Sequence, residues 1–164
     1  SRAQGRTDFS KFEASIARLQ ALSDAWSVYA AASGQFTGSP LLSSEEFGYG
    51  GQVFGRAYDA SEITGDRGFA ASIELRYSGI APWSWGSTEP YVFYDVGKVY
   101  NLDNGAAEAR QSGASAGAGV RFLFDEDLSG DLTIATPLTR VVTTPTYGGN
   151  GSNTRVFFSL NYSL

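Results

Sequence analysis

The chain contains no cysteine and no histidine. Without cysteine there are no disulfides, thiolate nucleophiles or thiolate metal sites, and without histidine the usual general base and the commonest metal ligand are gone. Most hydrolase triads and zinc chemistries are excluded with them. Lysine is nearly absent as well, limited to Lys11 and Lys98, and the net charge is -5. Nucleic-acid binding rests on clustered Lys and Arg, so no nucleic-acid partner is expected. No run of about 18 to 20 apolar residues occurs, which rules out a transmembrane helix on length. A membrane-crossing β-strand is still possible, because it needs only about 9 to 11 residues with every second one apolar. The chain does not open on a secretory signal at Ser1. If it is exported, its numbering is expected to begin inside a longer precursor.

What is present is 42% apolar residues, 14% aromatic and 18% charged, with 20 Gly, 9 Tyr and 11 Phe. A soluble β-sandwich and a membrane β-barrel share such values. Two-residue alternation between clusters of Gly, Ser, Asn, Asp and Pro predicts strands over Trp26–Phe36, Phe69–Tyr77, Tyr91–Tyr100, Ser115–Phe124, Asp131–Arg140 and Thr154–Leu164. In the last of these Val156, Phe158, Leu160 and Tyr162 share one face. In the second, Phe69, Ala71, Ile73 and Leu75 oppose Ser72, Glu74 and Arg76, a set that a water-filled lumen accepts and a soluble core does not. The alternation by itself fits either architecture.

Either register of Tyr91–Tyr100 puts a charge on the apolar side, Asp95 in one and Lys98 in the other. A mid-strand charge against lipid costs more than one near the interface, and a lysine can snorkel. Asp95 is therefore expected to point inward, with Tyr91, Phe93, Gly97 and Val99. Phe9, Phe12, Ile16, Leu19 and Leu22 recur at helical spacing, but the β context and a turn at Ser23–Ala25 make this a seventh strand. Single-chain barrels close with an even number, and a barrel of about sixteen strands would need roughly 160 residues before any loop. The missing strands are expected upstream, unless the chain closes with a copy of itself as a homo-oligomer.

Thr37 to Gly68 form a connection much longer than the ~2–5 residues of a hairpin loop. Phe47, Tyr49, Phe54 and Tyr58 make it too apolar for disorder, so it needs a cavity to sit in. The stretch LLSSEEFGYGGQVFGRAYDASEITGDRGFAASIELRY, Leu41 to Tyr77, resembles the two-partner secretion transporters, the haemolysin-activator and haemagglutinin-secretion family, which shares a superfamily with outer-membrane assembly factors. Its hallmarks are a long extracellular loop folded back into the barrel, bearing Val/Ile-Arg-Gly-Tyr/Phe, then a strand with an inward Glu, then Phe-x-Asp-x-Gly. Gly55-Arg56-Ala57-Tyr58, Glu74 and Phe93-Tyr94-Asp95-Val96-Gly97 occupy those places. The resemblance spans roughly Ser10 to Leu164.

The resemblance implies an all-β, antiparallel transmembrane β-barrel, the C-terminal part (about seven strands) of a larger barrel of about sixteen strands. Residues 1–164 would be barrel, with a lumen-folded loop at about 37–68 and with periplasmic POTRA domains absent from this chain. It implies an outer-membrane pore, no enzyme and no cofactor, that passes a secreted exoprotein such as a haemolysin or adhesin and contacts outer-membrane lipid. The implied site joins the loop residues Gly50, Gly51, Gly55, Arg56, Ala57, Tyr58, Gly65 and Asp66 to wall partners Asp95, Glu74, Phe93 and Gly97, with Arg56 meeting Asp95 in the lumen. From the residues alone, Arg56 reads more readily as a solvated loop residue and Asp95 as a lumen acid, and the resemblance reverses that preference. Two departures stand out: Gly55 replaces Val or Ile, and Ala57 replaces the motif Gly, where a positive φ would strain it by about 1 kcal/mol or more. The terminal Leu164 stands where such proteins commonly end in Phe or Trp, with Tyr162 two residues before it.

The other candidates have plainer readings. Asp125-Glu126-Asp127-Leu128-Ser129-Gly130-Asp131 resembles the start of a calcium loop, but Thr136 holds the twelfth position and a polar hairpin turn explains it. Asn150-Gly151-Ser152 matches a glycosylation sequon in what reads as a flexible loop, and Glu45-Glu46 read as solvated acids. Trp83 and Trp85 read as interface anchors. The rival functions are a membrane-protein insertase, a small structural or adhesive barrel, and an outer-membrane protease or acyltransferase. No clustered Ser–acid pair supports the last.

Overall fold

The computed structural model describes residues 5–78, 80–83, 86–102, 108–124, 127–139 and 154–162, with the side chains of 81–83 left aside. Ten strands account for nearly all of the regular structure. They are β1 (Lys11–Ala21), β2 (Trp26–Thr37), β3 (Phe47–Tyr49), β4 (Ile63–Gly65), β5 (Arg67–Tyr77), β6 (Ile80–Trp83), β7 (Gly86–Tyr100), β8 (Arg110–Phe124), β9 (Leu128–Pro137) and β10 (Arg155–Tyr162). One antiparallel sheet runs β1-β2-β5-β7-β8-β9-β10, with β6 beside β7, and β3 and β4 pair as a separate ribbon. Seven strands thus form an up-and-down meander, and among the described residues no ladder joins β1 to β10. No described helix is long and apolar enough to cross a membrane, which says nothing about strands.

The segment with helical spacing is strand β1, closed onto β2 by a turn in which the Leu22 and Ser23 amides donate to the Trp26 carbonyl. Several strands differ in extent from the pattern. β7 starts at Gly86 rather than Tyr91, β8 at Arg110 rather than Ser115, and β9 covers Leu128–Pro137 rather than Asp131–Arg140. Pairing drives these differences, since β7 and β8 stay in register from Gly86↔Phe124 to Tyr100↔Arg110. Pro90 is tolerated because it falls between the last β5 partner, Tyr91, and the first β6 partner, Thr88, where a missing amide costs least. The short β6 lies within a connection expected to be irregular, and β3–β4 within the long loop. The side chain of Trp83, together with Trp85, Asp125-Glu126, Asn150-Gly151-Ser152 and Leu164, lies outside what the structure describes.

Because paired residues share a face, the register sorts every strand into two sets. On the open face Ile16, Ala32, Ala71, Val96 and Ala114 form one row, and Ile134 lies across from Val156. This face is largely apolar, and large side chains stand bare on it from β1 to β10: Phe12 is 69% exposed, Ile73 51% and Phe158 65%. Soluble monomers rarely show apolar patches beyond about 300–600 Å². On the opposite face lie the polar and charged residues and, over them, the long connection, whose Tyr49, Ala57, Tyr58 and Ile63 build the core with Ala70, Tyr91, Phe93, Val99 and Ala135 of the sheet.

Candidate functional site

The loop reaches the sheet through a chain of tight bends. Gly50, Gly51 and Gly55 all have positive φ, with Gly55 at 78°. The Gly50 amide donates to the Phe54 carbonyl and the Tyr58 amide to the Gly55 carbonyl, closing a small knot that holds Arg56 at its tip. A β-branched residue would be strained at Gly55, so the first departure from the family motif matches this backbone. The expected strain at Ala57 does not arise: its φ is not positive, and its small side chain is fully buried.

The wall supplies two adjoining rungs. Ser72, Asp95 and Ser115 stand opposite one another on β5, β7 and β8, and one rung along stand Glu74 and Phe93. Arg56 drops into this frame. Its Nε donates to Asp95 Oδ2 at 3.1 Å and its Nη2 to Asp95 Oδ1 at 2.9 Å, a fork on a fork. Nη1 donates to Glu74 Oε1 at 2.7 Å and Nη2 also to Ser72 Oγ at 2.8 Å, while the guanidinium lies 3.6 Å over the centre of the Phe93 ring. Asp95, fully buried, also accepts the backbone amides of Gly55 (3.1 Å) and Arg56 (3.0 Å).

Buried charges are costly unless each is paired and hydrogen-bonded, and removing one partner of such a pair typically costs about 3–5 kcal/mol. Burial pushes the Arg56 guanidinium toward its neutral form, but the hydrogen bonds and charge of Asp95, then Glu74, more than reverse this and hold it above its usual range. It stays charged at any ordinary pH.

Around this pair runs a wider network that motif reading missed. Glu74 also accepts Arg76 at 2.7 Å and Arg121 at 3.1 Å, and Arg121 reaches Glu89 at 3.1 Å and Asp131 at 3.7 Å. Glu89, Arg121 and Asp131 form one rung, acid, base, acid, across β7, β8 and β9. The Tyr91 hydroxyl joins Asp131 at 2.8 Å. The signal was present as inward parity, but the rung depends on register, which a sequence does not display. Asp131 therefore serves the wall rather than a calcium loop, and among the described residues no group of acids is arranged to hold a metal. A pocket of about 220 Å³ beside Arg56 is lined by Glu74, Tyr91, Arg121, Asp131 and Thr133. Phe157 and Phe158 of β10 complete its lining.

The remaining candidates hold the loop elsewhere. Gly97 and Gly113 face each other across β7 and β8 and leave a bare patch of wall, against which Tyr49 packs. A Cβ on Gly113 would come within 2.8 Å of the Tyr49 ring, and one on Gly97 closer still. Gly65 passes within touching distance of Val99 and Tyr100. Asp66, fully buried, accepts the amides of Leu41 and Leu102, each at 2.6 Å, and so staples both ends of the loop to the segment after β7. Tyr58 donates its hydroxyl to the Ala114 carbonyl, and Asp59 meets Arg155 of β10 at 2.6 Å. Glu45, by contrast, pairs with Lys11 at 3.0 Å, away from the Arg56 frame.

Three comparisons bear on this arrangement. The family model described as haemolysin secretion/activation protein ShlB/FhaC/HecB matches residues 1–122. Among solved structures, CdiB from Escherichia coli is similar over 94% of this chain, with a TM-score of 0.76 at 19% sequence identity. The chain spans 27% of that structure's length, so the likeness concerns the fold of a part. A search of the curated proteins found no match. The strands expected from the alternation and the barrel kind implied by the resemblance, an antiparallel all-β sheet with seven principal strands, are what the structure and this likeness show.

Proposed function

The chain belongs to the haemolysin secretion/activation family ShlB/FhaC/HecB, and from that premise we propose that it forms part of an outer-membrane pore that passes a partner exoprotein to the cell surface. Residues 1–164 are then barrel wall, with the segment at about 37–68 folded into the lumen and the open face against lipid. The role is transport, not catalysis. One observation carries the reading: on strands whose outer side is bare and apolar, the inner side fixes a loop arginine with a buried carboxylate.

A loop held this way blocks part of the channel at rest and must yield when a chain passes. The pair Arg56–Asp95, with Glu74 as the second acceptor, acts as the latch. Its polar neighbours offer alternating charge to a moving polypeptide, so no single bound state is deep. Co-expressing the partner exoprotein with the Arg56→Ala transporter, at equal barrel levels, tests this. Export should fall severalfold and single-channel conductance should change. Unaltered export and conductance would remove the latch from the mechanism.

A further inference from the structure

Charge is divided between the two faces in a way that the pore reading does not use. The strands carry five acids, Glu13, Glu74, Glu89, Asp95 and Asp131, and the register puts all five on the loop-bearing face. Among the described residues the open face carries four charged residues on its strands, Arg18, Arg67, Lys98 and Arg110, and every one is a base. Three of the four gather at one end. Arg67, Tyr100 and Arg110 form a single rung across β5, β7 and β8, and Lys98 stands two residues along on β7. At the usual strand spacing this brings the three cations within about 10 Å of one another. Among the described residues, Asp66 is buried in its staple and Glu108 lies off the strands, in the segment leading into β8.

The cluster sits at the end of the strands where the long loop begins. Its side chains are held along the rim by aromatic rings. The Arg67 guanidinium lies 4.3 Å from the centre of the Phe36 ring and its Nε donates to the Thr37 carbonyl, while the Lys98 ammonium lies 5.2 Å from the Tyr100 ring. Aromatic rings and long basic side chains at the limit of an apolar band mark the level of lipid headgroups. At the other end the same face ends in Trp26 and Tyr77, ring centres 4.8 Å apart and tilted, while Arg18, the fourth base, stands mid-sheet on the rung of Ile73. Aromatic anchoring exists at both ends, but the concentration of positive charge exists at one.

We propose that Arg67, Lys98 and Arg110 form a binding site for the phosphate groups of lipids in the leaflet on the loop side. The occupant is an anionic, phosphate-bearing lipid: the apolar face directly below the three cations takes its acyl chains, and the cations take its headgroup. The site also couples lipid to the loop, because Arg67 follows Asp66 directly and hydrogen-bonds the end of β2 where the loop departs. The assignment rests on the membrane reading above.

The test reconstitutes the intact transporter into bilayers of phosphatidylcholine alone, of phosphatidylcholine with phosphatidylglycerol, and of phosphatidylcholine with lipid A, and measures co-purifying lipid by mass spectrometry. The wild type should retain phosphate-bearing anionic lipid over phosphatidylcholine. Each of Arg67→Gln, Lys98→Gln and Arg110→Gln should weaken retention roughly fivefold, and the triple variant about a hundredfold, with Arg18→Gln far less affected. Inorganic phosphate added at matched ionic strength should not displace the lipid, since it lacks the chains; displacement would show a free-phosphate site and overturn the lipid assignment. Equal retention by wild type and triple variant, both inserted and heat-modifiable, would overturn the proposal and leave the pore reading standing. Failure of the wild type to insert in any bilayer would sink the pore reading and this site together.

Discussion

Along β5, neighbouring residues lead different lives. Phe69, Ile73 and Leu75 stand between a third and a half exposed on the open face, while Ser72 and Glu74 between them are buried and engaged by Arg56. The two faces of one strand therefore encode different things. On the proposed membrane reading the open face needs only to be apolar, because lipid chains have no directional demands and most apolar side chains serve. The loop-bearing face needs particular groups at particular rungs, because each buried donor and acceptor must find its partner. Substitution should be forgiven on one face and punished on the other, unless a charge is placed in the apolar band.

The sharpest way to break this contrast is to remove the wall carboxylate. Asp95→Ala leaves the Arg56 guanidinium with Glu74 and Ser72 alone and orphans two loop amides, so the seated loop should lose about 3–5 kcal/mol. Proteolysis of residues 38–66 in outer-membrane vesicles should accelerate accordingly. Ile73→Lys puts a charge mid-strand on the open face and should cost about 2–4 kcal/mol, read as loss of the heat-modifiable band. Ile73→Val at the same position should cost less than about 1.5 kcal/mol. Gly97→Ala pushes a methyl into the Tyr49 ring and should cost roughly 1–3 kcal/mol, again visible as loop protease sensitivity with the barrel itself intact. If the Ile73→Val change proves as damaging as Gly97→Ala, the two faces do not differ in the way described.

Much of this was readable in the chain because alternation is local. The inward orientation of Asp95 follows from where Lys98 sits in the strand, and the bare face of β10 follows from Val156, Phe158, Leu160 and Tyr162. Even the misleading helical spacing in β1 has a simple origin. Phe12 and Ile16 are four apart, an even step that keeps both on the open face, whereas Leu19 is an odd step away and pairs with Tyr29 on the other. What was not readable needs register or a folded loop. The rung of Glu89, Arg121 and Asp131 exists only once β7, β8 and β9 are aligned. Tyr49 could be counted among the loop aromatics, but its seat against Gly97 and Gly113 is made by chain segments some 48 and 64 residues away in sequence. The left-handed bend at Gly55 is likewise a property of the closed knot.

The most direct measurement is a double-mutant cycle between Arg56 and Asp95, with the protection of residues 38–66 against protease in outer-membrane vesicles as the readout. Arg56→Ala and Asp95→Ala should each expose the loop, and the double variant should be little worse than either, giving a coupling close to the single-variant loss of about 3–5 kcal/mol. Additive effects, or a loop that stays protected in both single variants, would contradict the latch.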